Sequence, residues 1–293
     1  MRIKLLLVFV LALFFANAGT AQARFLSIVC AANQDAQVDP IVSPGVYPSA
    51  HLHTFYAARG VTQNSTVASL EASTSSCVQG GFADGATKTP MSSTRVAGDT
   101  AGMWEPTAYN HGVELVKPLL ADYWSNTGIP TNVPLSNVPE GLQFVIGNAH
   151  ATSPPPKFVL YWNCGGSFVT TWPSSTTPYN TCPDTGAHSL QAHLTFPDCW
   201  DGTGLTPADT TYGPIKVADF AGGPAFGPCP AAFPIQLPHM QLILHTHIAG
   251  DATGLSFSSG PYYTLHGDYW QTWKQSILQG NENWLRTGVL PTP

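Results

Sequence analysis

Two pairs of histidines are each separated by a single residue: His51 and His53 near the start of the chain, and His245 and His247 near its end. A further histidine, His266, lies two residues before Asp268. Side chains two residues apart on a β-strand point to the same face, so each pair can present two imidazoles to one surface. Neutral imidazole binds metals and also acts as a general acid or base near neutral pH. The spacing therefore predicts a site of chemistry but does not name the reaction.

A divalent metal, zinc or a similar ion, is one occupant that these histidines predict. The candidate ligands are His51, His53, His245 and His247. Zinc accepts three or four nitrogen ligands at ~2.0–2.1 Å and, when catalytic, keeps one position for water. Histidines on an exposed strand face are also ordinary polar surface, so the cofactor stays open at this stage.

Carboxylates offer a second chemistry, and those in turn-like or aromatic contexts are Asp39, Asp99, Glu105, Asp198, Asp201 and Asp268. Two carboxylates about 5.5 Å apart suit retaining glycoside hydrolysis, and a separation of ~6.5–9.5 Å suits inverting hydrolysis. Aspartates beside glycine and proline are more often turn formers. Asp268 also fits the N-cap of a helix, because Gln271 completes a capping-box pattern.

Aromatic residues cluster with small polar ones, and flat rings beside hydrogen-bonding groups suit the faces and edges of sugar rings. The same rings are equally normal in the core of a β-sandwich. The clusters are Tyr161-Trp162, Cys199-Trp200-Asp201-Gly202, Tyr262-Tyr263 and Tyr269-Trp270.

The first 23 residues are typical of a secretory signal peptide: basic residues, then an apolar run from Leu5 to Phe15, then small-x-small cleavage patterns. No second long apolar run follows, so we expect a secreted protein without a membrane span, formed by residues 24–293 as a single domain. Removing Arg2 and Lys4 leaves 9 of the 11 basic residues against 17 acidic ones, a net charge of −8. An acidic, lysine-poor chain is a poor partner for nucleic acid, because phosphate binding needs clustered cations.

Six cysteines follow the predicted leader, an even number that indicates disulfides in an oxidising compartment. They permit 15 connectivities. We expect the sequential one, Cys30–Cys77, Cys164–Cys182 and Cys199–Cys229, because it closes modest loops.

The apolar pattern predicts a mainly β fold, a disulfide-stapled sandwich or jelly roll with long loops. Segments 190–196 and 242–248 alternate with period two, and the latter places His245 and His247 on the face away from the core. Residues 142–146 and 158–162 are further strand candidates. A short C-terminal helix is predicted from Tyr269 to about Gln279, with Gly280 as its stop.

Several ordered motifs resemble the DUF1996 family of secreted proteins, found in fungi and actinobacteria and of unassigned activity. The resemblance covers nearly all of residues 24–293. It implies an extracellular, glycan-facing role by association, because some fungal members carry carbohydrate-binding modules beside this domain. It also implies a site centred on His51, His53, His266 and Asp268, with His245 and His247 outside the residues common to the family. The motifs are residues 39–45 (DPIVSPG), 49–53 (SAHLH), 99–106 (DTAGMWEP), 196–202 (FPDCWDG), 229–230 (CP), 233–234 (FP) and 265–268 (LHGD).

Together these observations predict a secreted hydrolase of extracellular or cell-wall polysaccharide. Its acid or base would be Asp201 or Asp268, and a histidine would polarise water or position the sugar. The predicted pocket comprises His51, His53, Asp99, Asp201, His266 and Asp268. Two alternatives stay open: a non-catalytic glycan-binding wall protein, and a metal-dependent enzyme that uses the histidine pairs.

Overall fold

A computed structural model of the chain describes residues 23–84, 88–90, 98–115, 118–166, 169–170, 174–182, 189–213, 228–248 and 250–290. The predicted leader therefore lies outside the described residues, apart from Ala23. Two α-helices, α1 (Val67–Glu71) and α2 (Gln275–Thr287), accompany strands β1 (Arg24–Ala31), β2 (Gln34–Ala36), β3 (His53–Ala57), β4 (Cys77–Asp84), β5 (Lys88–Pro90), β6 (Gly102–Pro106), β7 (Ala108–Asn110), β8 (Val113–Glu114), β9 (Leu119–Ser125), β10 (Gln143–Gly147), β11 (Leu160–Gly166), β12 (Val169–Thr170), β13 (Thr181–Cys182), β14 (Ser189–Thr195), β15 (Cys199–Trp200), β16 (Thr210–Thr211), β17 (Ile235–Gln236), β18 (His239–His245), β19 (Gly250–Asp251), β20 (Leu255–Phe257), β21 (Gly260–Pro261) and β22 (His266–Trp270).

The larger sheet contains eight antiparallel strands in the order β12-β11-β14-β18-β9-β1-β4-β5. The predicted strands at 190–196 and 242–248 are confirmed as β14 and β18, and those at 142–146 and 158–162 correspond to β10 and β11. One face of the sheet carries the apolar half of the alternating pattern, and its members on β14 and β18 are Leu190, Ala192, Leu194, Met240, Leu242 and Leu244.

The second sheet contains five antiparallel strands in the order β10-β22-β6-β3-β2. One face, with Tyr56 and Tyr269, belongs to the main core. The opposite face, with Phe55, Trp104 and Trp270, forms a separate apolar cluster that includes Leu70 of α1. Because both faces are covered, β3, β6 and β22 are buried along their whole length.

The two sheets pack face to face as a sandwich, and at Gly267 they approach too closely for a side chain. A Cβ atom at Gly267 would lie 2.8 Å from Cδ1 of Leu194 and 3.1 Å from Cδ1 of Leu242. Between the sheets, the ring of Tyr269 contacts those of Trp124 and Phe196 edge to face. The predicted mainly β sandwich is thereby confirmed, and α2 supplies the short C-terminal helix.

The start of the C-terminal helix was predicted wrongly. Asp268 and Tyr269 belong to β22, and α2 begins only at Gln275. Gly280 lies within α2. The helix is capped by Gly288, the residue after Thr287, which is in the left-handed conformation at φ 75°. The side chain of Arg24 donates to the last carbonyls, those of Leu285 and Arg286. Asp268 is therefore not a helix cap.

Three disulfides join Cys30 to Cys77, Cys164 to Cys182 and Cys199 to Cys229, which confirms the sequential pairing. The first links β1 to β4 in the larger sheet, and the third ties β15 to a loop. Among the described residues, no helix has the length and apolar character needed to cross a bilayer.

Candidate functional site

The segment from His51 to His53 is held in place by its own backbone carbonyls. The carbonyl of His51 accepts a hydrogen bond from Oγ of Ser49 at 3.0 Å. The carbonyl of Leu52 accepts from the amide of Thr107 at 3.1 Å and from Oγ of Ser258. Because these hydrogen bonds hold the backbone, the Cα atoms that carry the two imidazoles have fixed positions.

Strand register brings His266 to this segment across 213 residues of sequence. In β3 and β6, His53 is opposite Pro106, and in β6 and β22, Trp104 is opposite Asp268. Continuing the second register by two residues places His266 opposite Pro106. His53, Pro106 and His266 therefore form one row across three strands, on the sheet face that points away from the main core.

The three imidazoles of His51, His53 and His266, the histidine cluster, converge above this row. Their ring centroids are 4.4 Å apart for His51 and His53, 5.0 Å for His51 and His266, and 5.8 Å for His53 and His266. One ring nitrogen from each lies within 4.8 Å of those of the other two. His53 and His266 are buried and His51 is partly exposed, so solvent reaches the cluster from the His51 side.

The hydrogen bonds on the far side of two rings decide where their protons lie. Nδ1 of His53 is 2.9 Å from the carbonyl oxygen of Val38, and Nδ1 of His266 is 3.0 Å from that of Thr264. A carbonyl oxygen only accepts, so each Nδ1 carries the proton and each Nε2 of the neutral ring has a free lone pair. Backbone carbonyls on Nδ1 are the usual outer support of metal-binding histidines.

Burial keeps these rings neutral. Desolvation, with the nearby imidazoles adding to it, lowers the pKa of His53 to about 3. Burial likewise lowers the pKa of His266 to about 4, and the pKa of His51 falls for the same reason. Neutral imidazole is the form that a metal ion binds.

Asp268 lies beside the cluster with no hydrogen-bond donor. It is fully buried, and neither carboxylate oxygen has a partner among the described residues. Its Oδ2 is 3.9 Å from Nε2 of His266. Burial, and then the charge of Asp39, raise the pKa of Asp268 well above its usual value. An acceptor that faces other acceptors in a buried place needs a cation or a proton between them.

A fourth histidine near the cluster, His150, was missed at the sequence level. β10 ends at Gly147, and the turn after it carries His150, whose amide donates to Oδ1 of Asn148. The side chain is exposed, and its charge lowers the pKa of both His51 and His266. A lone histidine in the segment Asn148-Ala149-His150 has no pattern around it, so only the fold reveals its place.

Two of the predicted carboxylates are not part of the cluster. Asp99 is fully buried, accepts from the amide of Ala101 at 2.9 Å, and interacts with the charge of Asp122. Asp201 is in an exposed turn, where its Oδ1 accepts from the amides of Thr203 at 2.7 Å and Gly204 at 3.0 Å. These bonds lower the pKa of Asp201, as is usual for a turn-forming aspartate.

The histidine pair at 245 and 247 lies in the other sheet. His245 ends β18, and its Nδ1 is 3.0 Å from Nε2 of Gln191 on β14. His247 follows the strand at φ 56° and is exposed, so the two do not share a strand face. Among the described residues, the group of histidines close enough to share an ion consists of His51, His53 and His266, and the structure does not bring His245 and His247 to it.

Most of the predicted aromatic platforms are core residues. Trp162 and Tyr269 are fully buried, and Tyr161 and Trp270 are nearly so. Trp200, Tyr262 and Tyr263 retain partial exposure. The alternative that these rings belong to a sandwich core therefore holds for four of them.

One nitrogen–nitrogen distance in the histidine cluster matches that of a tetrahedral metal ion. Two nitrogen ligands at ~2.05 Å from zinc are about 3.3 Å apart in a tetrahedral arrangement. Nε2 of His51 and Nε2 of His266 are 3.1 Å apart. Three neutral imidazoles with one side open to solvent match the ligand count of catalytic zinc, and Asp268 lies within reach as an outer partner or a further ligand.

Comparison with known proteins assigns the chain to a family. No curated protein and no solved structure matches the chain. A family profile described as "Domain of unknown function (DUF1996)" matches residues 39–273, a span that contains the histidine cluster, His150 and Asp268. The chain therefore belongs to the DUF1996 family.

Proposed function

We propose that this protein is a secreted metal-dependent hydrolase whose metal ligands are His51, His53 and His266. One observation carries the proposal: two buried imidazoles, each with Nδ1 bound to a carbonyl, direct their Nε2 lone pairs toward a point shared with His51. Nε2 of His53 has no hydrogen-bond partner among the described residues, and Nε2 of His266 faces Nε2 of His51 at 3.1 Å; a buried lone pair without a donor is costly unless a cation binds there.

Asp268 supports the same conclusion independently. A buried carboxylate without a donor destabilises the fold unless it is neutralised. Each hydrogen-bonding group left without a partner costs ~1–3 kcal/mol, and more when it is charged. A divalent ion held by the histidines would neutralise it, and when bound would supply Lewis-acid activation of a water or a substrate oxygen. His51 is the partly exposed member of the cluster, so solvent and substrate would reach the site from its side.

The substrate class we propose is extracellular polysaccharide. Three disulfides suit an exported protein, and the leader pattern agrees with them. The scarcity of charged residues, 10% of the chain, argues against a strongly charged substrate. The alternative is a protein that binds glycan without turnover, and the experiment distinguishes it from a hydrolase.

The test is elemental analysis of the exported protein, purified without a metal-affinity column. We expect about one zinc, manganese, copper or iron per chain, lost in His53→Ala and His266→Ala. His111→Ala is the matched control, because His111 is exposed and pairs with Asp251 at 3.0 Å. His51→Ala tests whether metal is lost from a protein that still folds, because this partly exposed residue can be replaced with less damage to packing than the other two.

Activity is then measured on a polysaccharide panel by the release of reducing ends. We expect turnover by the metal-loaded protein, its loss after chelation and its return on adding the metal back. Absence of metal after incubation with each of the four ions would refute the proposal. Metal binding without product from any polysaccharide would favour the non-catalytic alternative.

A further inference from the structure

One tripeptide of the chain has the pattern of an acceptor for N-linked sugar. In proteins of the eukaryotic secretory route, the acceptor asparagine is followed two residues later by serine or threonine, with any residue except proline between them. Asn64-Ser65-Thr66 has this pattern, and every other asparagine of the chain lacks serine or threonine two residues later. So short a pattern also arises by chance, and the surroundings of Asn64 therefore carry the argument.

Asn64 is exposed in the turn that precedes α1. Its backbone amide donates to Oγ1 of Thr62 at 3.3 Å, and its side-chain amide makes no hydrogen bond to another described residue. A Cβ atom at Gly45 would lie 3.9 Å from Oδ1 of Asn64, so the side chain lies beside a residue that has none. The Nδ2 atom can therefore bear a substituent without the loss of a hydrogen bond.

The turn is formed by groups other than the side chain of Asn64. The amide of Thr62 donates to Oγ of Ser65 at 2.9 Å, and the amide of Ser65 donates to the carbonyl of Thr62 at 3.0 Å. The carbonyl of Gln63 accepts from the amide of Gly45 at 2.7 Å. Because these bonds hold the turn, a group attached to Asn64 leaves the backbone in place.

The surface beside this turn has few charges. Residues 40–70 contain Arg59 and no other lysine, arginine, aspartate or glutamate. Val46, which follows Gly45, is 53% exposed. Charged side chains keep a surface soluble, and a glycan, which is bulky and solubilising, does the same without charge. A sugar on Asn64 would thus hydrate a part of the surface where charged side chains are scarce.

We propose that Asn64 carries an N-linked glycan when the protein is exported through a eukaryotic secretory route. The three disulfides indicate an oxidising compartment such as the lumen of the endoplasmic reticulum. The donor is an oligosaccharide activated as a lipid-linked diphosphate. A bond forms between Nδ2 of Asn64 and C1 of the first sugar, the bond from C1 to the diphosphate oxygen breaks and its electron pair leaves with that oxygen, and Nδ2 loses one proton. This modification is independent of the metal centre.

The test is production of the full chain in a eukaryotic host that secretes it, followed by mass spectrometry before and after an amidase releases N-linked sugar. We expect one glycan per chain, mapped to the peptide that contains Asn64 and absent from Asn64→Gln. Thr66→Ser and Thr66→Ala are a matched pair, because Oγ1 of Thr66 also caps α1 by accepting from the amide of Ser69 at 3.2 Å. Serine keeps the cap and the acceptor pattern, so the glycan should be retained in Thr66→Ser and lost in Thr66→Ala.

Asn180→Gln is the control for exposure. Asn180 is also exposed, but the residue two positions later is Cys182, which is buried and disulfide-bonded. An unmodified Asn64 in the secreted wild-type protein overturns the proposal, and that measurement requires no variant to fold. A glycan that remains in Asn64→Gln, or one that is lost in Asn180→Gln, overturns it as well. Metal content has no bearing on these outcomes, so either proposal can fail without the other.

Discussion

Replacing Glu105 with glutamine should stabilise the protein at neutral pH. Glu105 lies on β6 between the two sheets, fully buried, and its Oε1 accepts from the hydroxyl of Tyr56 at 2.8 Å. No other partner of this carboxyl group is present among the described residues. Burial raises its pKa from 4.5 to about 8, with the Tyr56 hydrogen bond opposing the shift. The folded protein therefore keeps a proton that the unfolded chain releases.

The sign and size of the effect follow from proton linkage. Between pH 4.5 and about 8 the folded state binds more protons at Glu105 than the unfolded state, so the free energy of unfolding falls as the pH rises. At 1.36 kcal/mol per pH unit, the loss between pH 4.5 and pH 7 is about 3 kcal/mol. Below pH 4.5 the contribution vanishes, because both states are protonated.

Glutamine has nearly the same shape and stays neutral at every pH. Its Oε1 can accept from Tyr56, and its amide group replaces the carboxyl O–H, which also lacks a partner. We expect Glu105→Gln to be more stable than the wild-type protein by about 2–3 kcal/mol at pH 7 and to match it near pH 4.5. The other buried acids, such as Asp122, contribute equally to both proteins and cancel in the difference.

Urea unfolding with the disulfides intact, at half-unit steps from pH 4.5 to 8, measures this difference directly. Glu114→Gln, an exposed glutamate on β8, is the control and should shift the midpoint little. A Glu105→Gln protein that is less stable than wild type at pH 7, or whose advantage does not grow with pH, would refute the argument that Glu105 is protonated in the fold.

Two further substitutions test the placement of the site. Asp201→Ala should leave metal content and turnover unchanged and reduce stability by no more than about 1 kcal/mol, because this aspartate only supports an exposed turn; a large loss of turnover would restore it as an acid or base. Gly267→Ala should destabilise the protein by ~1–3 kcal/mol, since the added methyl group would lie 2.8 Å from Leu194, and it should lower metal occupancy by displacing His266; an unfolding midpoint equal to that of wild type would contradict the packing.

The sequence predicted the strands whose two faces differ and failed where they do not. β14 and β18 have one face in the main core, so their apolar residues alternate and could be recognised. In β22 the face of His266 and Asp268 also carries Trp270, so polar and apolar residues do not alternate, and Asp268 followed by aromatic residues resembled the start of a helix. The error placed a buried site residue at a solvent-exposed cap.

The pairing of distant residues could not be predicted from the periodicity of the sequence. His51 and His53 could be grouped from their spacing, and the family motifs added His266 and Asp268 to them. That His266 meets His53 depends on the order β22-β6-β3 and its register, which no local pattern contains. His245 had the same local spacing as His51 but belongs to the other sheet, so spacing alone predicted both pairs equally.

Two buried acids of the smaller sheet differ in the hydrogen-bond donors that surround them. Glu105 and Asp268 lie on neighbouring strands, on opposite faces. Glu105 has the hydroxyl of Tyr56 as a donor, so a protonated carboxyl group is adequately accommodated there. Asp268 has no donor. Nε2 of His266, 3.9 Å from Oδ2 of Asp268, is itself an acceptor, because the ring proton is on Nδ1 and is donated to the carbonyl of Thr264. A single proton between Asp268 and His266 would leave the lone pair of His53 unmet, whereas one divalent ion held by the three histidines would satisfy their lone pairs and offset the charge of Asp268 beside them. The arrangement of lone pairs, more than the number of histidines, is the reason we propose a metal site on the face of β3, β6 and β22.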